Sequence, residues 1–334
     1  MAEEKTIEQK LHIFSKFREL GLVFFIIVIS IIIQARNPAF LTMTNLGNLF
    51  TNTAILGILS VGMMMVLLTG GIDLSVGSVV AFTGMVTAMT AQAYPETPVL
   101  ILVLESIALG AVMGVVTGIL VARFSILPII ASLGMMNIIR GLTYLVSGGA
   151  WVSAYQMPDS FKNIASNSLF GINNLIVIAV LVFIIFYFFL NFSKTGRRIY
   201  AVGSNSEAAD IIGLPTKRIV TLVYTLMGAL AGLGGVLWVS RFASAQGDTA
   251  LGYELNVIAS CVLGGIAVSG GRGRVAGLVL GVVLFGILAN ALPLVHVSPF
   301  WQQAIQGIVI LTAIVTNVLI KRNNDRINLR QRVI

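Results

Sequence analysis

Ten apolar runs, each close to the ~20 residues that cross a bilayer as a helix, leave this chain few ways to fold. They cover roughly 19–35, 51–69, 74–92, 99–122, 126–147, 173–191, 219–240, 254–269, 275–292 and 302–320. Lipid offers no partner to backbone N–H and C=O groups, so each run must close its own hydrogen bonds, which a helix does. The prolines respect this division. Pro38, Pro95, Pro98, Pro158, Pro215, Pro293 and Pro299 fall in connections or at edges, and Pro128 falls in a first helical turn, where a missing N–H is harmless. Only 10% of the 334 residues are charged and 57% are hydrophobic, against about 25% charged in an average soluble domain. The expected fold is all-α, a polytopic membrane helix bundle of about ten transmembrane helices.

Charge sets the expected orientation. With the N-terminus inside, Lys5, Lys10, Lys16, Arg18, Arg123, Lys194, Arg197, Arg198, Lys217, Arg218, Arg272, Arg274 and the five basic residues after 320 fall on the inner side. Only Arg36, Lys162 and Arg241 fall outside, and Arg140 lies within a span. An odd number of spans would destroy this positive-inside bias, so both termini are expected in the cytoplasm. Residues 1–18 read as a cytoplasmic amphipathic segment, 19–320 as the transmembrane domain and 321–334 as a basic cytoplasmic tail. No small-residue cleavage pattern follows the first run, which reads as a retained span rather than a signal peptide. The net charge of +8 sits at the ends of apolar runs, which argues for topology and against nucleic acid as a partner.

Glycine spacing predicts how the helices pack. Gly110, Gly114 and Gly118 recur every four residues, as do Gly228 with Gly232 and Gly277 with Gly281. Small residues at this spacing let helix backbones approach closely in lipid. Gly70-Gly71-Ile72-Asp73-Leu74-Ser75 is echoed by Gly264-Gly265-Ile266-Ala267-Val268-Ser269. Transporters are often built from internal repeats, and the echo is a candidate trace of one.

The longest inner loop, 192–218, contains its own helix signal. Ser204 followed three residues later by Glu207 fits a capping box, Gly213 suits the residue past a helix end, and Pro215 blocks continuation. A helix of about two turns is predicted between roughly 205 and 212. Alone in water it would be marginal, so it must pack on something: a cytoplasmic partner or its own bundle.

This loop carries a family resemblance. Glu207-Ala208-Ala209, three residues and Gly213 resemble the EAA signature of permease subunits of ATP-binding cassette importers. Further stretches resemble the branch that carries ribose, xylose, galactose and related sugars, including autoinducer-2. They are Gly70–Gly77, Ser132-Leu133-Gly134-Met135 with Arg140-Gly141-Leu142, and Gly252-Tyr253-Glu254-Leu255 through Val262-Leu263-Gly264-Gly265 to Gly270-Gly271-Arg272-Gly273. The ordered set spans nearly the whole chain. The resemblance implies a permease domain in a bacterial cytoplasmic (inner) membrane, with Glu207, Ala208, Ala209, Gly213, Leu214 and Pro215 contacting a cytoplasmic ATP-binding subunit. It also implies a periplasmic or extracellular solute-binding protein and a second permease copy as partners. ATP and Mg would belong to the ATPase. No G-x-x-x-x-G-K-[ST] phosphate loop occurs in this chain, in line with a non-catalytic subunit that holds no cofactor of its own.

Asp73, at the start of the third run, is expected to cap that helix. Glu105 and Arg140 each lie about seven residues from an outer span end, and equal depth with opposite charge suggests an ion pair. Arg241 and Glu254, with Asp248 nearby, are candidates for contact with the binding protein. By depth alone, Asn137, Asn290, Gln302, Gln303, Trp238 and Trp301 are candidates for a substrate path, since a sugar needs amides and aromatic walls. His12, His296 and Cys261 make no metal site or nucleophile–base pair in the sequence. The competing function is a stand-alone ion-coupled secondary transporter, against which the scarcity of acids deep in the spans argues.

Overall fold

The computed structural model describes residues 2–298 and positions 300–302, 304, 305, 307, 308, 311, 312 and 315, with side chains from residue 19 onward. In chain order the elements are α1 (Ala2–Arg36), α2 (Met43–Leu68), α3 (Val76–Ala93), α4 (Val99–Ala122), α5 (Pro128–Ser147), β1 (Val152–Ser153), α6 (Asp159–Ser166), β2 (Ser168–Leu169) and β3 (Ile172–Asn173). They continue with α7 (Asn174–Phe192), α8 (Lys194–Ser204), α9 (Ser206–Ile211), α10 (Thr216–Phe242), β4 (Ser244–Ala245), α11 (Tyr253–Leu263) and α12 (Val275–Leu294). Among the described residues, eight helices are long and apolar enough to cross a membrane, the first of them counted from Glu19. The all-α polytopic bundle is therefore present.

The eighth predicted run is the exception. Residues 254–269 do not form one span: α11 has 11 residues, or ~16 Å at 1.5 Å per residue, about half a hydrocarbon core. It stops at Gly264-Gly265, where Gly265 turns with φ +85°. The chain then runs without helix to α12, and Gly271 N–H donates to the Leu68 carbonyl at 2.9 Å. A half-length helix and a non-helical stretch thus stand where one span was expected, the stretch lying against the end of α2. Such backbone is tolerated at membrane depth only where protein covers it. The last predicted run, 302–320, falls mainly outside the described residues, as does the basic tail. At the other end, residues 2–18 continue α1 without a break.

α2 is the axis of the bundle. Every position from Thr53 to Leu68 is buried, as expected of a helix that is apolar all round. α10 packs beside it and seals against α4 along the predicted glycines. A Cβ built on Gly110 would collide with the Gly228 carbonyl oxygen, and one on Gly228 with that of Gly110. Gly114 and Gly118 face Tyr224 and Thr221 in the same antiparallel register. Ser106 Oγ donates across the seam to the Gly232 carbonyl at 2.7 Å. Gly277 and Gly281 fit against Gly264 and Ser260, which seats α12 on α11.

The two ends of the bundle differ. One carries α8 and α9. The other is covered by α6, which buries Phe161 and Ala165, and by β1 paired antiparallel with β4 (Val152 opposite Ala245). Ser240 Oγ on α10 donates to the Phe161 carbonyl at 2.8 Å and accepts from Ala165 N–H at 2.9 Å, which ties α6 down.

Candidate functional site

The α9 end is organised by caps. α8 begins where the Ser193 hydroxyl accepts from Gly196 N–H at 2.8 Å, and it buries Ile199 and Val202. The predicted short helix exists as α9, one residue out of the expected register. Its N-cap is Asn205, whose Oδ1 accepts from Ala208 N–H at 2.9 Å. Ser204 instead ends α8, so the Ser204–Glu207 capping box is not made. The far end closes as expected. Leu214 N–H donates to the Ala209 carbonyl and Gly213 N–H to the Asp210 carbonyl, both at 3.0 Å. With Gly213 at φ +79°, this is the paired-bond arrangement of a Schellman stop. Asp210 also accepts from the Thr216 hydroxyl in a short contact that joins α9 to α10. Glu207, Ala208, Gly213 and Pro215 are exposed, while Ala209 turns inward and is buried and Leu214 is half-buried. Ile211 and Ile212 are 85% and 74% exposed. α9 thus offers an apolar knob flanked by a carboxylate, uncovered by its own bundle.

Behind the knob, three stretches of backbone meet. Gly203, near the end of α8, lies so close to the end of α2 that any Cβ would collide with the Leu68 carbonyl oxygen. A Cβ on Gly270 would lie 2.6 Å from the Gly203 carbonyl oxygen, and one on Gly271 would lie 2.7 Å from Ser204 Cα. Tyr200 donates to the Gly273 carbonyl at 3.0 Å; burial pushes its phenol above the usual range, so it remains a donor. The end of α2, the α8–α9 corner and the 264–274 connection are therefore locked by main-chain contact. The sequence marks Gly270 and Gly271 as part of a motif, but it offers no sign that Gly203 meets them.

The two echoed segments converge on this junction. After Gly70 (φ +77°) the chain climbs without helix into α3. Asp73, 3% exposed, is not the N-cap of α3: that position is Ser75, which makes no side-chain cap bond. Asp73 acts two residues earlier. Its Oδ1 accepts from Ser75 N–H at 2.8 Å and from Ser75 Oγ at 2.6 Å, fixing the entry angle of the helix. Tyr224 on α10 donates to the Ile72 carbonyl at 3.1 Å.

The expected Glu105–Arg140 pair does not form. Depth along a helix fixes level and leaves facing direction open. Arg140 Nη1 instead donates to the Gly247 and Thr249 carbonyls, both at 2.8 Å, and so holds the connection between β4 and α11 against α5. Glu105 Oε1 accepts from Thr90 Oγ1 at 2.9 Å, and its Oε2 is buried without a partner. Glu254 and Arg241 part company as well. Glu254 sits in the first turn of α11, its Oε2 2.8 Å from where a Cβ of Gly77 would stand. Arg241 reaches across to Asn52 Oδ1 at 3.0 Å.

The amides are spread over several places. Asn137 is exposed on α5 and donates to its own helix, to the Leu133 carbonyl, at 2.9 Å. Gln302 donates to the Val297 carbonyl at 2.7 Å, and Trp301 is exposed. Gln303 lies outside the described residues. Asn290 forms a two-way amide pair with Asn45 at 3.0 and 3.1 Å. Trp238 packs edge-on to Tyr253, with centroids 4.9 Å apart. Asn290 and Tyr253 both line a cavity of about 200 Å³ between α2, α11 and α12, together with Asn52 and Asn256, two residues that sequence reading passed over. No group of three or more His, Cys, Asp or Glu among the described residues could hold a metal ion.

An apolar bundle with a half-length helix and a capped, exposed knob on one end has the build of a membrane permease, and comparison with known proteins gives the same class. The profile of the family described as branched-chain amino acid transport system / permease component matches residues 45–314, and the chain belongs to that family. It is 37% identical to the ribose import permease protein RbsC of Escherichia coli (strain K12) over 294 residues, which is 87% of this chain and 91% of that one. It is 35% identical to the L-arabinose ABC transporter permease protein AraH of Azospirillum brasilense, with 92% and 89% covered. It is 30% identical to the galactose/methyl galactoside import permease protein MglC of Haemophilus influenzae (strain ATCC 51907 / DSM 11121 / KW20 / Rd), with 92% and 96% covered. No solved structure matches.

Proposed function

We propose that this chain is the membrane-spanning subunit of an ATP-binding cassette importer that carries a small sugar, ribose or a similar pentose or hexose, across the bacterial cytoplasmic membrane. The observation that carries this reading is the similarity over about nine-tenths of the chain to permeases named for ribose, arabinose and galactose. The α9 end faces the cytoplasm, as the basic residues predict. A separate ATPase, holding ATP and Mg, docks on Glu207, Ala208, Ile211 and Ile212. A second copy of the chain completes the pathway, and a solute-binding protein delivers sugar at the α6 end. α9 is too short to persist alone. Its two caps and the Asp210–Thr216 contact support a helix kept ready for a partner.

The test is replacement of the knob. Ile211→Asp buries an unpaired carboxylate in the docked state and leaves the free bundle unchanged, because Ile211 is exposed. Sugar uptake should fall at least about tenfold, with normal amounts of protein in the membrane and loss of co-purifying ATPase. Undiminished uptake that follows an ion gradient and needs no ATPase would instead establish the secondary-transporter reading.

A further inference from the structure

The exposed sides of α4, α5 and α7 are dominated by large apolar residues such as Leu100, Ile101, Ile130, Leu133, Ile184 and Phe188, as a surface against lipid requires. The face where α2, α11 and α12 converge is different. Its cavity of about 200 Å³ is lined by Asn52, Asn256 and Asn290, with Tyr253 and Phe285 as its rings. Asn52 is exposed and lies nine residues along α2 from Met43, ~14 Å at 1.5 Å per residue. An amide bared to hydrocarbon loses its hydrogen bonds at high cost. Here the amide stands with a charge, since Arg241 donates to Asn52, and a guanidinium marks a face that meets water or polar solute.

The groups in this cavity are unequal. Asn290 is braced by Asn45 in the two-way pair, and Asn52 accepts from Arg241. Among the described residues nothing bonds the Asn256 amide or the Tyr253 hydroxyl. Tyr253 is held by Trp238 at an interplanar angle of 85°, which fixes the ring. We infer that this cavity is a sugar-binding subsite of the translocation path, with the Asn256 amide and the free N–H of Asn52 bonded to ring hydroxyls. The Tyr253 ring covers the C–H face of the sugar, where a polyol has apolar area to bury. The inference rests on the sugar-import reading above and names the residues that would discriminate one sugar from another. A site that bonds a hydroxyl rejects an isomer lacking it there, because its own polar groups are then left unpaired.

The experiment is uptake of labelled D-ribose, L-arabinose and D-galactose by cells carrying the whole transporter, with membrane abundance measured in parallel. Asn256→Ala and Tyr253→Leu should lower the uptake rate by about tenfold at unchanged abundance, and by different factors for the three sugars, so that their ranking changes. Tyr253→Phe keeps the ring and should keep most of the rate. Asn191→Ala, exposed at the end of α7 next to α8, should change nothing. Variants with wild-type rates and ranking would overturn the subsite while leaving the importer reading intact. So would an equal loss for all three sugars that follows abundance. A wild-type transporter that takes up none of the three, nor any other pentose or hexose offered to it, would remove the sugar reading, and the subsite with it.

Discussion

The two Gly-Gly-Ile segments begin from nearly the same sequence and do opposite things. Residues 70–75 lead from the end of α2 into α3, and residues 264–269 lead away from α11. In the first, the carboxylate of Asp73 holds Ser75, and Tyr224 holds the Ile72 carbonyl, so the path is fixed from two sides. In the second, Ala267 stands where Asp73 would be, and the segment closes on itself: Ala267 N–H donates to the Arg272 carbonyl at 2.8 Å and Gly270 N–H to the Ala267 carbonyl at 3.1 Å. One segment is anchored by side chains and the other by its own backbone. They meet through Gly271, Leu68 and Gly203, directly behind α9. The lesson is that an interrupted helix can be stabilised by a buried acid or by a closed turn, and that this chain uses one of each at a single junction.

This contrast can be tested. Gly203→Ala should have the largest effect. The added methyl meets the Leu68 carbonyl, which as main chain has nowhere to go, and overpacking of this kind costs about 3 kcal/mol. A sharp loss of membrane yield or of the thermal midpoint in detergent checks it, and a stable Gly203→Ala protein would break the three-way junction. Asp73→Ala should come next. It leaves a buried N–H and hydroxyl of Ser75 without an acceptor, a cost of roughly 2 kcal/mol, read from unfolding in detergent. If it is neutral, the first segment relies on backbone alone and the contrast disappears. Tyr224→Phe should be mildest, about 1 kcal/mol for one hydrogen bond, and its additivity with Asp73→Ala shows whether the two anchors act as a unit.

Much of this was legible in the residues, for identifiable reasons. Glycines at intervals of four in an apolar run have few uses besides close packing, and Gly110, Gly114 and Gly118 do pack closely, though their spacing did not name α10 as the partner. Gly213 and Pro215 mark the end of α9 because few residues accept a positive φ or interrupt a helix. The register of its start was not legible. Ser204 and Asn205 are both good caps, and the length of α8 decides between them. The half-length of α11 was hidden because 254–269 is apolar on average despite Glu254 and Asn256, and hydropathy counts residues without seeing the turn at Gly265. Arg140 lies within its span as expected, and only its partner differs, for a related reason. Sequence position gives depth, whereas its carbonyl partners at Gly247 and Thr249 depend on how the β4–α11 connection folds back. Glu254 beside Gly77 could be found only once α3 and α11 were brought together.

The seam between α4 and α10 has a mechanical consequence. Backbones in direct contact over some three turns cannot slide without lifting apart, so the two helices must travel as a single plank through any opening and closing of the pathway. Labels placed on either side of it should report a constant separation in every state of the cycle. Displacement, where it occurs, belongs to the elements that flank the plank.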